Sequence, residues 1–145
     1  MSNRGHDLAA LGRATAALLL EKGYIAPVDV FIRMGYLSPI DYERWRRRQV
    51  PALERVIRIN LSRITFLMQA LRRQSLAGHL QPRTTVYTSW GPGRRVRLRF
   101  SLSGAPQIEA AYSTHYIAGR EVAAIRHARL AKRQRPTITQ VEGEA

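Results

Sequence analysis

Cysteine is absent from this chain, which excludes disulfide staples and thiolate metal sites. Long apolar runs are absent too. The longest candidate, Leu8 to Leu20, is interrupted by Arg13 and followed by Glu21-Lys22 instead of a small-residue cleavage site. It falls short of the ~20 apolar residues that a membrane span requires. The expectation is a soluble protein of a reducing cytoplasm, with no membrane partner. Lysine is nearly missing: only Lys22 and Lys132 stand among 24 basic residues, the rest being arginine. The most telling gap is in negative charge. Between Glu54 and Glu109 the chain carries ten arginines and no acidic residue.

The net charge of +14 is therefore concentrated in the middle of the chain. Such a field repels itself unless a polyanion is the intended neighbour. Guanidinium forks match phosphate bidentately and stack on bases, so nucleic acid is the first candidate partner. At 145 residues and 45% hydrophobic content the chain can bury a core without staples. One basic α+β domain is expected over residues 1–135, with a flexible tail at 136–145 carrying Pro136 and Gly143.

Local signals divide the chain into a helical first half and a mixed second half. The first helix is expected from Asp7, as N-cap, to Lys22, with Gly23 past its end. An echo follows: Gly23-Tyr24-Ile25-Ala26-Pro27-Val28-Asp29 returns as Gly35-Tyr36-Leu37-Ser38-Pro39-Ile40-Asp41. In each copy glycine ends a helix, an aromatic–aliphatic pair enters the core, and proline opens the next helix. Short helices near 27–34 and 39–48 result. A long helix is expected from Pro51 to Leu76, with Leu53, Ile57, Asn60, Ile64, Leu67 and Leu71 at alternating four- and three-residue spacings. Thr84–Trp90 and Val96–Leu102 read as the strands of a hairpin around Gly91-Pro92-Gly93-Arg94. Helices near 106–117 and from Arg120 to Arg133 complete the expected order.

The paired short helices resemble a helix-turn-helix, with Gly35 in the turn, Val30 and Met34 buried on the first helix, and Tyr42 and Trp45 facing the core from the second. The resemblance implies DNA reading, with Arg44, Arg46, Arg47 and Arg48 as the contacts. Their place at the C-terminal end of the second helix favours phosphate over base edges. On the long helix Arg55, Arg58 and Arg72 lie opposite the apolar series and are expected to follow a phosphate backbone. The series itself, Leu53 to Leu71, has the spacing of a coiled-coil seam. A homodimer through this face competes with its use as a monomer core, and Asn60 would fix the register.

The hairpin is the sharpest feature. Val96, Leu98, Phe100 and Leu102 alternate with Arg95, Arg97, Arg99 and Ser101, so one face is core and the other a row of guanidinium groups. Together with Arg94 in the loop, and Trp90 or Tyr87 as a stacking surface, it has the parts that strands and loops of nucleic acid require. Which aromatic shares the arginine face depends on register.

Other chemistries are secondary. His115 and Tyr112, in Tyr112-Ser113-Thr114-His115-Tyr116, could serve acid–base cleavage of RNA. In its charge and strand-borne arginines alone the chain resembles the small RelE-type toxin ribonucleases. The four histidines share no metal-ligand spacing and no phosphate-loop motif is present, so no metal and no cofactor is expected. The composite reading is a non-catalytic nucleic-acid-binding protein, DNA ahead of RNA, acting as a small regulator or accessory subunit. The alternatives are an RNA-directed protein, either a structured-RNA binder or a RelE-like ribonuclease, and a scaffold for an acidic partner protein.

Overall fold

The structure, a computed structural model, describes residues 2–119 and 127–132. The expected tail at 136–145 and the start of the last expected helix lie outside the described residues; 127–132 is helical. Helix α1 (Ser2–Lys22) is followed by strand β1 (Tyr24–Ile25), α2 (Pro27–Arg33), α3 (Pro39–Arg46) and a 3₁₀ turn at Leu53–Arg55. Then come α4 (Leu61–Ala77), β2 (Gln81–Thr84), α5 (Pro106–Ser113) and β3 (Thr114–Ile117). The α+β class expected from sequence is correct.

The echo in the sequence is an echo in structure. Gly23 and Gly35 both take positive φ, 81° and 83°, where a side chain would be strained. Pro27 and Pro39 open α2 and α3, and the Ser38 Oγ caps α3 by accepting from the Asp41 N–H at 3.0 Å. The helix α1 begins earlier than its sequence suggests. Asp7 is inside it and 1% exposed, because its carboxylate meets Arg63 and Tyr36 instead of capping a helix end.

The long helix from Pro51 to Leu76 is not one helix. Val56, Ile57 and Ile59 are β-branched and lose side-chain freedom in a helix, and Asn60 prefers to cap one. The chain therefore breaks, the Arg58 N–H donates to the Tyr36 carbonyl at 2.8 Å, and Asn60 becomes the N-cap of α4 through its Oδ1 and the Arg63 N–H at 2.9 Å. Leu53, Ile57, Ile64, Leu67 and Leu71 all enter the core of this single chain. The series read from Leu53 to Leu71 is thus broken between the 3₁₀ turn and α4, and its apolar members serve the core of the monomer.

The sheet also differs from expectation. It has the order β1-β3-β2, both pairings antiparallel, with Tyr24 opposite Ile117 and Gln81 opposite Ile117 on the two edges of β3. The helix expected over 106–117 stops at Ser113, and Thr114-His115-Tyr116-Ile117 supplies the central strand. The hairpin is shorter than read. It is tied by the pairing of Thr88 with Arg97 and by the Leu98 N–H to Tyr87 carbonyl and Ser89 N–H to Val96 carbonyl bonds, each 2.8 Å. On its outer side the arm from Val96 to Phe100 runs against the 3₁₀ turn, where the Glu54 N–H donates to the Phe100 carbonyl at 2.9 Å.

Aromatic packing joins these parts. Trp45 of α3 lies 5.0 Å from Phe100, which stacks at 5.2 Å on Tyr112 of α5 and meets Tyr87 edge-on. The Trp45 Nε1–H donates to the Arg99 carbonyl at 2.8 Å. Among the described residues no helix is long and apolar enough to cross a membrane.

Candidate nucleic-acid interface

The register of the hairpin decides which aromatic faces solvent. Thr88 opposite Arg97 turns the alternate positions Tyr87, Ser89 and Leu98 inward, and all three are buried. Tyr87, at 8% exposure, is core and cannot receive a base, whereas Trp90 at the tip is 42% exposed. Burial also pushes the Tyr87 hydroxyl well above its ordinary pKa. It bonds the His115 Nε2 at 2.8 Å.

The arginines of the hairpin separate into two kinds. Arg95 and Arg97 on the second arm, and Arg94 in the loop, are exposed. Arg99 folds back on its own chain: its Nε donates to the Ser101 carbonyl at 2.8 Å and its Nη2 to the Leu102 carbonyl. Its guanidinium lies on Gly104, where an added Cβ would come within 3.1 Å. Arg99 therefore closes the turn after the second arm, and alternation alone could not reveal that.

The arginines after α3 are likewise sorted. Arg46 is enclosed by rings, its guanidinium carbon 4.6 Å from the centroid of Tyr87, 5.0 Å from Trp90 and 5.6 Å from Tyr42. Its Nη1 donates to the Thr88 carbonyl at 2.7 Å and its Nε to the Tyr42 hydroxyl at 2.9 Å, while the Trp90 N–H returns a bond to the Arg46 carbonyl. Read from sequence as a DNA contact, Arg46 instead clamps the hairpin to α3. The i, i+4 spacing from Tyr42 was the available signal. Arg44 pairs with Asp41 and Arg47 with Glu43 on the exposed side of α3, and Arg58 reaches Asp41 at 3.7 Å. Arg48 is exposed at φ 64° and has no ion-pair partner among the described residues.

This pairing reflects how few acids the fold has to spend. Asp7 is taken by Arg63, Glu21 by Arg33 and Asp29 by Lys22. Glu54 accepts the Leu102 N–H and the Tyr112 hydroxyl, and Glu109 accepts the N–H of Phe100 and both the N–H and hydroxyl of Ser101. Every acidic side chain among the described residues is thereby engaged. Arg48, Arg55, Arg72, Arg94, Arg95 and Arg97 are exposed, and none has a carboxylate within ion-pair distance among the described residues. Arg73 on α4 and Arg83 on β2 share that condition, although the sequence reading passed over both.

Hydrogen bonds join the first of these groups. The bonds between Arg46 and the Thr88–Trp90 arm hold the end of α3 against the hairpin, and the Arg47 Nη1 comes 3.9 Å from the position a Gly91 Cβ would take. Arg48, Arg94, Arg95 and Arg97 thus belong to neighbouring segments. Arg72 and Arg73 sit on α4 and Arg83 on β2.

The acid–base alternative loses its geometry. The Tyr112 hydroxyl, buried and raised in pKa by desolvation, donates to the Glu54 Oε2 at 2.7 Å. His115 bonds Tyr87 and stacks on Tyr24 at 5.3 Å. The two side chains therefore serve different neighbours. Among the described residues no three histidine or carboxylate groups come together as a metal site. Compared with known proteins, the chain matches no family, no curated protein and no solved structure.

Proposed function

We propose that this is a non-catalytic nucleic-acid-binding protein, DNA ahead of RNA, acting as a small cytoplasmic regulator or accessory subunit. The observation that carries the reading is the surplus of exposed guanidinium groups left when every described carboxylate is engaged. Unpaired like charges cost stability in the free protein and are repaid when counterions are released from a bound polyphosphate. The hairpin adds to the argument, since its cross-arm bonds order the arm that carries Arg95 and Arg97, which then lose less freedom on binding than side chains on a loose loop. The α2–α3 pair joined at Gly35 supports DNA. With Arg44 and Arg47 paired to acids of their own helix, α3 offers phosphate contacts more readily than base readout.

A salt titration tests this directly. Affinity for a short labelled duplex should fall by roughly 10³-fold or more between about 50 and about 200 mM salt if some six phosphates are neutralised. Changing Arg94, Arg95 and Arg97 together to alanine should reduce the slope of log affinity against log salt by about 2.7, at an unchanged melting temperature. A flat salt response in the wild type would remove the reading and favour the acidic partner protein.

A further inference from the structure

Within that nucleic-acid reading, we infer that Trp90 is a stacking platform for an unpaired base, which makes a single-stranded segment the preferred ligand. Trp90 is the only aromatic among the exposed large hydrophobic side chains of the described residues. A tryptophan left 42% exposed forgoes much of the burial that stabilises such a ring. It is nonetheless held firmly. Its backbone N–H donates to the Arg46 carbonyl at 2.7 Å, the Arg46 guanidinium lies over the indole, and the Tyr42 ring meets the indole at 86°. A base laid on the solvent side would meet an indole already backed by a cation and braced by an edge-on ring, and little ordering would remain to be done on binding.

The surroundings suit a strand. Arg94 in the loop and Arg95 and Arg97 on the second arm follow, and none has a carboxylate within ion-pair distance among the described residues. Gly93 has open space where a Cβ would stand, and at Gly91 only the Arg47 Nη1 comes within 4 Å. The two glycines thus add no side-chain bulk of their own to the loop that follows Trp90, and cations are at hand for the phosphates on either side of a stacked base. In a duplex the faces of the bases are already stacked on each other, so a ring of this kind finds its partner in single strands, loops and unpaired ends.

The test compares poly-dT, poly-rU and a duplex of equal length, by fluorescence anisotropy, for the wild type, Trp90→Leu and Trp90→Phe. Leucine keeps an apolar cover over Arg46 but has no π face, whereas phenylalanine keeps a smaller one. On the single strand that binds more tightly, which names the sugar of the ligand, Trp90→Leu should lose roughly 5- to 100-fold in affinity. Trp90→Phe should lose less, and duplex binding should change by less than about twofold. Because the leucine variant disturbs the Arg46 enclosure, a second measurement uses the unaltered protein. Trp45 is buried, so quenching of tryptophan emission on adding the single strand reports Trp90. An equal loss on strand and duplex, no loss on either, or unquenched emission would overturn the inference. Preference of the wild type for duplex would overturn it too, leaving the charge-based reading in place; salt-insensitive or absent binding to all three would remove both.

Discussion

Arg63 forks onto Asp7, Nε to Oδ2 at 3.1 Å and Nη2 to Oδ1 at 2.9 Å, while the Tyr36 hydroxyl donates to the same Oδ1 at 2.8 Å. One buried carboxylate thereby pins α1 to α4 and to the turn between α2 and α3. The Arg63 hydrogen bond outweighs burial and holds Asp7 below its ordinary value of 3.8. A lowered carboxylate stabilises the fold above its unfolded pKa and loses that contribution as pH falls through the folded one. Urea unfolding should therefore show stability declining as the pH drops below about 4. Asp7→Asn should cost about 2 kcal/mol at neutral pH, because Arg63 loses its counter-charge but keeps some solvent, and it should flatten the acid limb. A variant as stable as the wild type would show that the fork is dispensable.

Arg46 should behave as a folding residue. Arg46→Ala removes hydrogen bonds to Thr88 and Tyr42 and the cation from among three rings, a loss of about 2–3 kcal/mol. Arg46→Lys should recover little of it, since an ammonium cannot present the planar fork that reaches both acceptors and lies on the rings. The measurement is the urea midpoint of each variant. Equal stability of the lysine variant and the wild type would mean that charge alone suffices.

What could be read from the residues and what could not divide along a physical line. The Gly–aromatic–aliphatic–Pro echo carries its own geometry, so the α2–turn–α3 unit, its caps and the buried Trp45 were legible. Alternation on Arg95 to Leu102 correctly placed Leu98 and Phe100 in the core but fails at the end of the arm, where Ser101 is buried and Leu102 is 46% exposed. The failures lie where long-range partners outweigh local pattern. The four–three spacing from Leu53 to Leu71 is satisfied equally by one helix or by a broken segment whose residues meet one core. A helix is expected to run on to 117, yet β1 and β2 recruit Thr114–Ile117 as a strand between them. For the candidate site, charge density marked a region but could not tell a solvent-facing arginine from one with a partner. Arg46, Arg58 and Arg99 are spent on carbonyls, rings or a carboxylate that only the fold brings near.

His115 gives a second pH signature, of the same sign but in another window. Burial, with a smaller push from Lys22, holds it below its ordinary value of 6.5 against the opposing pull of Asp29. The folded protein thus prefers neutral imidazole while the unfolded chain takes up a proton more readily. Stability is present in full above about 6.5 and declines as pH falls from there to the folded pKa, below which it is level. With the Tyr87 phenol kept protonated by burial, it is the donor and Nε2 the acceptor. Tyr87→Phe should cost about 1 kcal/mol, and His115→Gln should flatten the limb that begins below about 6.5. The check is thermal unfolding across this range; a limb that persists in His115→Gln belongs to another group.

Arg48 offers a way to separate stability from binding. The Arg48 N–H bonds the Trp45 carbonyl at 3.0 Å and the Gln49 N–H bonds the Arg44 carbonyl at 2.8 Å, the pair of bonds that closes a helix through a left-handed residue. Glycine is the usual occupant, and arginine at φ 64° is strained there. Arg48→Gly should therefore stabilise the protein by about 1 kcal/mol or somewhat less, after allowing for the freedom glycine gains in the unfolded chain. The same change deletes an exposed cation beside the hairpin, so the salt slope for nucleic acid should fall by about 0.9. Arg48→Ala, which keeps the strain and removes the charge, should match the loss in slope without the gain in melting temperature. If the glycine variant melts higher and binds with an unchanged slope, Arg48 lies outside the interface and its strain has no tie to binding.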